Sequence, residues 1–482
     1  MPDALWTASE IAAATGGKAS ADFEVSGLSI DTRSLRPGDL FVALKDARDG
    51  HDFVANAFQA GASGAFVSRP VHGGATIMVD DVLPALEKLG MAARDRAPGC
   101  YRVAVTGSVG KTSVKEMLAR MFRALGPAHW SVKSFNNHWG VPLTLARMPR
   151  QTERAVFEIG MNTPGEIAPR SLMVQPHCAI ITKIAAVHLE GLGSLEAIAD
   201  EKADIFRGLQ PNGFAIVPED DPFAPHLMAR ARDCQPSCRI LTFGTGTRAD
   251  ACVERVSSDG RETHAVIRVH GKAVEITLDA VGDHWAINAA AALLAVCPDG
   301  SERLERAAEA LSGYIPPDGR GKVEILRLPD GGTFTLVDDS YNANPTSMGA
   351  ALRALARRPA TRRLAVLGAM GELGPDARHL HAGMKEDVIA SDAATVWLSG
   401  ENMKALADVL PQSLAVHWSA GPEPILQSLK NALRSGDTLL LKGSNASGMV
   451  KLAEQLRQWS AEADEQVMES GAESAARGEN AV

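Results

Sequence analysis

Between residues 101 and 125 the spacing of the apolar positions changes once, from consecutive to helical. A short β-branched run starts at Tyr101 and ends at Val105. Apolar residues then recur every three or four positions as far as Leu125, which is typical of a helix with one face on a sheet. We therefore predict a strand, a turn and a helix that begins near Lys111.

Similar apolar runs, separated by helical patterns, recur along the rest of the chain. Such alternation predicts an α/β fold with mostly parallel, doubly wound sheets. Pro98-Gly99 and the Pro- and Gly-containing stretch 314–320 interrupt the pattern and indicate boundaries. The predicted strands are 155–159, 178–184, 213–217 and 239–243, and then 334–337, 364–367, 395–398 and 438–441.

The first hundred residues are a separate unit in this interpretation. Thr7 and Glu10 have the spacing of a capping box, so a short helix should begin there and end at Gly16-Gly17. Two apolar runs in residues 26–44 should pair around a turn at 36–39. We predict three domains, 1–99, 100–317 and 318–460, and a disordered tail, 461–482, because the tail has little to bury.

Composition narrows the classes of function. A chain of 482 residues corresponds to about three domains of ~150 residues. Its net charge of -9 argues against a nucleic-acid partner, which favours a basic face. Six scattered cysteines are typical of reduced thiols, and the longest apolar run, 289–297, is too short to span a bilayer. We expect a cytoplasmic protein.

The turn between the strand and the helix has the composition of a phosphate-binding loop. Backbone N–H groups and the positive end of the helix can hold phosphates, Lys111 can reach the outer ones, and the Thr112 hydroxyl can ligate Mg²⁺. The usual spacing places a glycine where this chain has Val105, so the loop is a shorter variant. ATP or GTP binding follows, through Gly107, Ser108, Val109, Gly110, Lys111, Thr112 and Ser113.

Three further residues lie at positions that permit chemistry. Glu158 ends a predicted strand, where parallel sheets bind ligands, and could hold Mg²⁺ beside Thr112. The alternative is a glutamate that caps a helix or is solvated. His188 also follows a strand, but a lone histidine in apolar company is more often a hydrogen-bonded core residue. Lys202 lies between acidic residues on a predicted helix, where lysines are usually solvated.

Nine stretches together resemble the Mur ligase family. The resemblance implies a UDP-sugar-binding amino-terminal domain, a central ATPase domain and a Rossmann-like carboxy-terminal domain. The nine stretches are SIDTRSLRPGDLFVALKDARDGHDF, TGSVGKTSVKEM, NNHWGVPLTL, EIGMNTPGEI, HLEGLGSLEAIADEKADIF, GDHWAINAAAAL, DDSYNANPTSM, LGAMGELG and LKGSNASGM.

The resemblance also implies a reaction. ATP phosphorylates the terminal carboxylate of a UDP-N-acetylmuramoyl-tripeptide, and the amine of D-alanyl-D-alanine then displaces phosphate to form an amide. The product is the UDP-N-acetylmuramoyl-pentapeptide precursor of peptidoglycan. The implied partners are these two substrates, with no nucleic acid and no membrane insertion, and we expect a monomer.

By the same resemblance, two Mg²⁺ ions assist phosphoryl transfer beside Lys111. Thr112 and Glu158 would hold one ion. Glu158, His188 and a carbamylated Lys202 would hold the other.

The resemblance assigns further binding residues. Asn288 would face the adenine, Arg320 the phosphates, and Asp339 with Asn344 the ribose and triphosphate. From the residues alone, Asn288 would be a helix-surface amide and Arg320 part of an interdomain salt bridge. The implied contacts to the UDP-substrate are Ser29, Thr32, Arg33, Asn136 and Asn137, for which turn chemistry is the alternative.

Two positions depart from the family pattern, since Trp285 and Lys183 stand where Asn is common. Alternative functions are the family member that adds the third amino acid, a folylpolyglutamate synthetase, or a P-loop nucleotide-binding protein without ligase activity. The stretches LGAMGELG and LKGSNASGM, in place of an Asp-Asn-Pro-Arg signature, favour the dipeptide-adding member.

Overall fold

The computed structural model describes residues 4–132, 134–300 and 303–479, with side chains up to residue 465. In this part of the chain, five-, nine- and six-stranded sheets follow one another, with a two-stranded ribbon near the start. We call residues 4–99 the first region, 100–317 the central region and 318–479 the third region. Each region contains one of the large sheets, and the exact domain limits stay a prediction.

The first region begins with the predicted capped helix. The Thr7 hydroxyl accepts from the Glu10 amide, the Glu10 carboxylate accepts from the Thr7 amide, and Gly16 ends the helix with φ 75°. The two runs in 26–44 do pair, but in parallel and not as a hairpin. The elements are β1 Trp6–Thr7, α1 Ala8–Thr15, β2 Lys18–Ala19, β3 Glu24–Val25, β4 Gly27–Ser29, β5 Asp39–Val42, a 3₁₀ turn Gly50–Phe53, α2 Val54–Gln59, β6 Gly64–Val67, β7 Thr76–Met78 and α3 Val82–Asp95.

The strands and helices of the central region alternate as the apolar pattern predicts. The elements are β8 Tyr101–Thr106, α4 Lys111–Leu125, β9 Ala128–Trp130, α5 Gly140–Ala146, β10 Arg154–Glu158, α6 Ile167–Val174, β11 Cys178–Ile181, α7 Leu189–Leu192, α8 Leu195–Ala203, a 3₁₀ turn Asp204–Gly208, β12 Phe214–Pro218, α9 Ala224–Cys234, β13 Arg239–Gly244, β14 Ala251–Ser258, β15 Thr263–Val269, β16 Lys272–Leu278, α10 Asp283–Val296 and α11 Leu304–Leu311.

The central sheet has the order β16-β15-β14-β13-β12-β11-β8-β10-β9 and is parallel from β9 to β14. Helices α4 and α10 pack on one face, while α6 and α8 pack on the other, so this sheet is doubly wound. The longest apolar run belongs to α10, which is buried in this core. Strands β15 and β16 extend the sheet as an antiparallel hairpin that the alternation did not predict.

The third region repeats the α/β pattern in the order β17-β18-β22-β19-β20-β21, parallel except for β17. Its elements are β17 Lys322–Arg327, β18 Thr333–Asp339, α12 Pro345–Ala356, β19 Arg362–Gly368, a 3₁₀ turn Gly374–Asp376, α13 Ala377–Ala382, α14 Lys385–Ala390, β20 Ala393–Ser399, a 3₁₀ turn Glu401–Met403, α15 Lys404–Ala407, β21 Ala415–Ser419, α16 Glu423–Ala432, β22 Asp437–Lys442, a 3₁₀ turn Asn445–Ser447 and α17 Met449–Glu479.

The disorder predicted for residues 461–482 stays a prediction, although the first of these residues are packed. Helix α17 continues to Glu479, with Ala463 buried and Asp464 in an ion pair with Arg327. Extending an already packed helix needs no new nucleation, and Ala and Glu favour helix. Residues 480–482 of the predicted tail lie outside the described residues. Among the described helices, none combines the length and the apolar character required to cross a membrane.

Candidate active site

The loop between β8 and α4 can be formed only with glycine at two positions. Gly107 and Gly110 have φ 145° and 85°, values that favour glycine. A β-carbon on Gly107 would lie 1.9 Å from Thr182 Oγ1, and one on Gly110 would lie 2.8 Å from Asn288 Oδ1. The loop backbone is therefore packed closely against two neighbouring side chains.

Lys111 is the first residue of α4 and turns back over the loop. Its Nζ donates to the Gly107 carbonyl oxygen over 2.6 Å. Burial lowers the pKa of Lys111, and the Glu158 carboxylate opposes that shift. The ammonium thus lies at the positive end of a helix, where anionic phosphates bind.

A hydroxyl and a carboxylate meet beside the loop. Thr112 Oγ1 donates to Glu158 Oε2 over 2.9 Å, and Asn136 Nδ2 donates to Glu158 Oε1 over 2.7 Å. Glu158 is 1% exposed, and neither donor carries a charge. Oxygen ligands of this kind are those that Mg²⁺ prefers. The pair Thr112 and Glu158 therefore fits a divalent cation.

Lys202 lies on α8 and is 1% exposed. The expectation from residues alone, a solvated lysine, is therefore wrong. Burial holds the pKa of Lys202 well below its ordinary value, and the positive charge of Lys111 lowers it further. The adjacent Glu201 carboxylate accepts three backbone N–H groups and so has a structural role.

His188 and Glu372 meet between the central and third regions. His188 precedes α7, is half-buried, and contacts the Glu372 carboxylate through Nδ1. In the part of the chain that the structure describes, no three His, Cys, Asp or Glu side chains are grouped to hold a metal ion. A metal bound as the sequence predicts would therefore depend on Thr112 and Lys202 as well as on Glu158 and His188.

A cavity of about 470 Å³ lies between the central and third regions and brings most of the predicted residues together. Gly107, Lys202, Ser29, Thr32 and Arg33 are not among its lining residues. The predicted residues that line it are Ser108, Val109, Gly110, Lys111, Thr112, Ser113, Asn136, Asn137, Glu158, His188, Asn288, Arg320, Asp339 and Asn344.

The third region contributes an ion pair to this cavity. Asp339 ends β18 and Lys442 ends the neighbouring β22, and Lys442 Nζ lies 2.7 Å from Asp339 Oδ2. Lys442 is 1% exposed and also donates to the Asn342 carbonyl oxygen. Sequence reasoning missed Lys442, although its position at the carboxyl end of a predicted parallel strand is a usable signal.

Besides Asp339, two of the predicted nucleotide contacts already have protein partners. Asn344 caps α12, since its Oδ1 accepts from the Ser347 amide over 2.9 Å. Arg320 donates to Ser134 Oγ over 2.9 Å and lies over the Tyr341 ring. The interdomain contact expected of Arg320 therefore exists as a hydrogen bond. Asn288 is half-buried against the phosphate loop, so it is not a helix-surface amide.

The residues predicted to hold the UDP-substrate make local contacts. Ser29 Oγ donates to the Asp31 carbonyl oxygen, and the largely exposed Arg33 pairs with the Asp31 carboxylate. Asn137 accepts from the Gly140 amide at the start of α5. These are the turn contacts of the alternative interpretation. A role in binding UDP stays a prediction.

Trp285 and Lys183, the two residues that depart from the family pattern, lie in different environments. Trp285 is buried and packs against the rings of His284 and Tyr314 at the cavity wall. Lys183 has an exposed side chain, while its carbonyl oxygen accepts from the Ser108 amide over 2.7 Å. Lys183 thus supports the phosphate loop through its backbone, which any residue could do.

Comparison with known proteins decides the family. Residues 105–296 match the Mur ligase middle domain, and residues 321–445 match the Mur ligase glutamate ligase domain. A Bacillus subtilis protein named UDP-N-acetylmuramoyl-tripeptide–D-alanyl-D-alanine ligase is 34% identical over 444 residues, which cover 90% of this chain and 93% of that protein. The chain belongs to the Mur ligase family.

Solved Mur ligase structures superpose on nearly the whole of this chain. A crystal structure of MurF from Acinetobacter baumannii superposes with a TM-score of 0.81 at 29% identity, covering 94% of this chain and 99% of that one. MurF ligase from Thermotoga maritima in complex with ADP gives a TM-score of 0.74 at 25% identity, covering 90% and 98%. The three-domain Mur ligase fold predicted from the sequence is thereby confirmed.

Proposed function

We propose that this chain is an ATP-dependent ligase that joins D-alanyl-D-alanine to UDP-N-acetylmuramoyl-tripeptide. The observation that carries the proposal is the cavity that places the phosphate loop, the Thr112–Glu158 pair and the Asp339–Lys442 pair around one space. Full-length relatives bear the name of this activity.

The reaction requires two substitutions in sequence. An oxygen of the tripeptide's terminal carboxylate attacks the γ-phosphorus of ATP, and ADP leaves. The amine of D-alanyl-D-alanine then attacks the carbonyl carbon of the acyl phosphate, loses a proton, and expels inorganic phosphate. The phosphoryl group transferred in the first step is strongly anionic, so the site must supply positive charge.

The residues of this chain supply that charge and hold the nucleotide. The N–H groups of the loop and Lys111 bind the phosphates, while Arg320 and Lys442 approach from the third region. Thr112 and Glu158 would hold one Mg²⁺, and Glu158, His188 and Lys202 the second. Bound Mg²⁺ would neutralise charge on the phosphate oxygens. Asn288 and Asp339 would contact the adenine and ribose, and Ser29, Thr32 and Arg33 the UDP group.

Lys202 would serve as a carbamate in this proposal. The lone pair of the neutral amine attacks the carbon of CO₂ and forms an N–C bond. The π electrons of one C=O bond move onto its oxygen to give a carboxylate, and the nitrogen loses a proton to solvent. Only the neutral amine can react, and the lowered pKa of the buried Lys202 favours that form. The product would provide carboxylate oxygens, which are ligands that Mg²⁺ prefers.

The test is to supply ATP, Mg²⁺, D-alanyl-D-alanine and a UDP-tripeptide that carries either meso-diaminopimelate or lysine, and to weigh the products. We expect the UDP-pentapeptide and ADP in equal amounts, and the comparison identifies the third residue accepted. Omitting either the amine or the tripeptide should abolish product. ADP formation at the full rate without them would overturn the proposal and favour a P-loop hydrolase.

A further inference from the structure

The contact between His188 and Glu372 joins two loops from different sheets. His188 follows β11 of the central sheet, and Glu372 follows β19 of the third region's sheet. Both residues have left-handed backbones, with φ 55° and 59°. This conformation is unfavourable for residues other than glycine and, where it occurs, is often found at functional sites.

The two loops also pack along their backbones. The Glu190 amide faces the Glu372 carbonyl oxygen at 3.4 Å. Gly374 is so near that a β-carbon on it would lie 3.4 Å from Glu190 Cα. The side-chain contact is therefore part of a defined junction between the central and third regions.

The Glu372 carboxylate contacts one specific ring nitrogen of His188. His188 Nδ1 is buried and has no other polar partner among the described residues. A carboxylate on Nδ1 fixes the proton there, which leaves Nε2 with its lone pair free to bind a cation.

We propose that Glu372 is a positioning residue that makes His188 a competent metal ligand only when the third region lies against the central region. This inference rests on the proposed function, in which His188 holds the second Mg²⁺. Because Glu372 comes from the third region, metal binding and closure of that region are linked. By reciprocity, Mg²⁺ must favour closure by the same factor by which closure favours Mg²⁺.

The experiment follows the Mg²⁺ dependence of closure rather than activity alone. Small-angle scattering of the full chain with a non-hydrolysable ATP analogue gives the Mg²⁺ concentration at half-maximal compaction. Glu372→Gln keeps the side-chain size and removes the charge, and we expect it to raise that concentration about tenfold. Glu190→Gln, an exposed neighbour on the same junction, should leave it unchanged.

A cycle with His188→Ala separates positioning from packing. In the His188→Ala background, Glu372→Gln should cause no further change in the Mg²⁺ midpoint. An unchanged midpoint for Glu372→Gln alone would overturn the inference, as would a loss of compaction that saturating Mg²⁺ does not restore. If the wild-type protein makes no UDP-pentapeptide, the proposed function fails. If it makes the product but Glu372→Gln has the wild-type Mg²⁺ midpoint, only this inference fails.

Discussion

Lys442 Nζ and Asp339 Oδ2 lie 2.7 Å apart at the carboxyl ends of adjacent strands, and the lysine is 1% exposed. Removing one member of a buried ion pair leaves the other charge without its partner. We expect Lys442→Met to reduce the free energy of unfolding by about 2–4 kcal/mol, measured by urea titration. The double variant Lys442→Met/Asp339→Asn should recover part of that loss; a double variant as unstable as the single one would refute the explanation.

Lys111→Ala should remove activity without unfolding the protein. The side chain is half-buried, but its hydrogen bond is to a loop carbonyl, and its charge lies at the helix terminus where phosphates bind. We expect a fall in kcat/KM of about 10²–10³, as when one transition-state charge contact is lost. Lys451→Ala, at an exposed lysine of α17 that does not line the cavity, is the control and should retain the wild-type rate.

Glu158→Gln should change the metal requirement. Glutamine can still accept from Thr112, so the local hydrogen bond is kept while the anionic ligand is lost. The Mg²⁺ concentration needed for half-maximal rate should rise at least about tenfold before activity disappears. Glu153→Gln, at an exposed carboxylate just before the start of β10, should not alter it. A Glu158→Gln enzyme with wild-type Mg²⁺ dependence would exclude Glu158 as a ligand.

The sequence predicted the parts of this protein that depend on local chemistry. The spacing of apolar residues located β8 and α4, and the Thr7–Glu10 capping box located the start of α1, because side-chain periodicity and helix capping are local properties. Glu158 was predicted as a candidate Mg²⁺ ligand because it ends a strand next to the phosphate loop. Resemblance, not periodicity, found His188 and Lys202.

Features that depend on distant contacts escaped the sequence analysis. The burial of Lys202 comes from packing of α8 in the central core, and its flanking acids gave the opposite impression. Lys442 and Glu372 are chemically ordinary until the third region brings them to Asp339 and His188. The composition of the tail likewise indicates how little it can bury, but not that its first residues continue a helix that is already packed.

The unfolding free energy should depend on the protonation of His129. Burial lowers its pKa from 6.5 to about 4, and Nε2 is hydrogen-bonded to the Thr144 carbonyl oxygen over 2.7 Å. Between these two values the unfolded chain binds the proton and the folded chain does not. The contribution is therefore complete above pH 6.5 and declines as the pH falls towards 4, by at most about 3 kcal/mol.

The measurement is the difference in unfolding free energy between wild type and His129→Gln, taken at about pH 7.5 and about pH 4.5. We expect wild type to lose stability relative to the variant as the pH falls. His72→Gln, at an exposed histidine, should show no such change. A wild-type–His129→Gln difference that is constant across this range would show that the histidine titrates normally in the folded protein.

The sharpest test of the second metal site concerns Lys202. An ammonium ~4 Å from a divalent cation would be repelled by roughly 8 kcal/mol, from ~4 kcal/mol per pair of unit charges at an effective dielectric of 20. A free, charged lysine is therefore incompatible with a metal there, whereas a carbamate is attracted. Lys202→Ala should lose activity but leave a vacated space that a short carboxylate can fill.

Formate or acetate at high concentration should consequently restore part of the activity of Lys202→Ala and none of that of Lys202→Arg. Arginine keeps the positive charge and fills the space, but it cannot form the carbamate. Comparing the two variants therefore distinguishes loss of the carbamate from loss of the side chain. Labelling with ¹³CO₂, observed by NMR, detects the carbamate directly. Lys183→Ala is the control and should keep the NMR signal. Full activity of Lys202→Ala in CO₂-depleted buffer would refute the carbamate, because the site would then bind its metal without any ligand from this position.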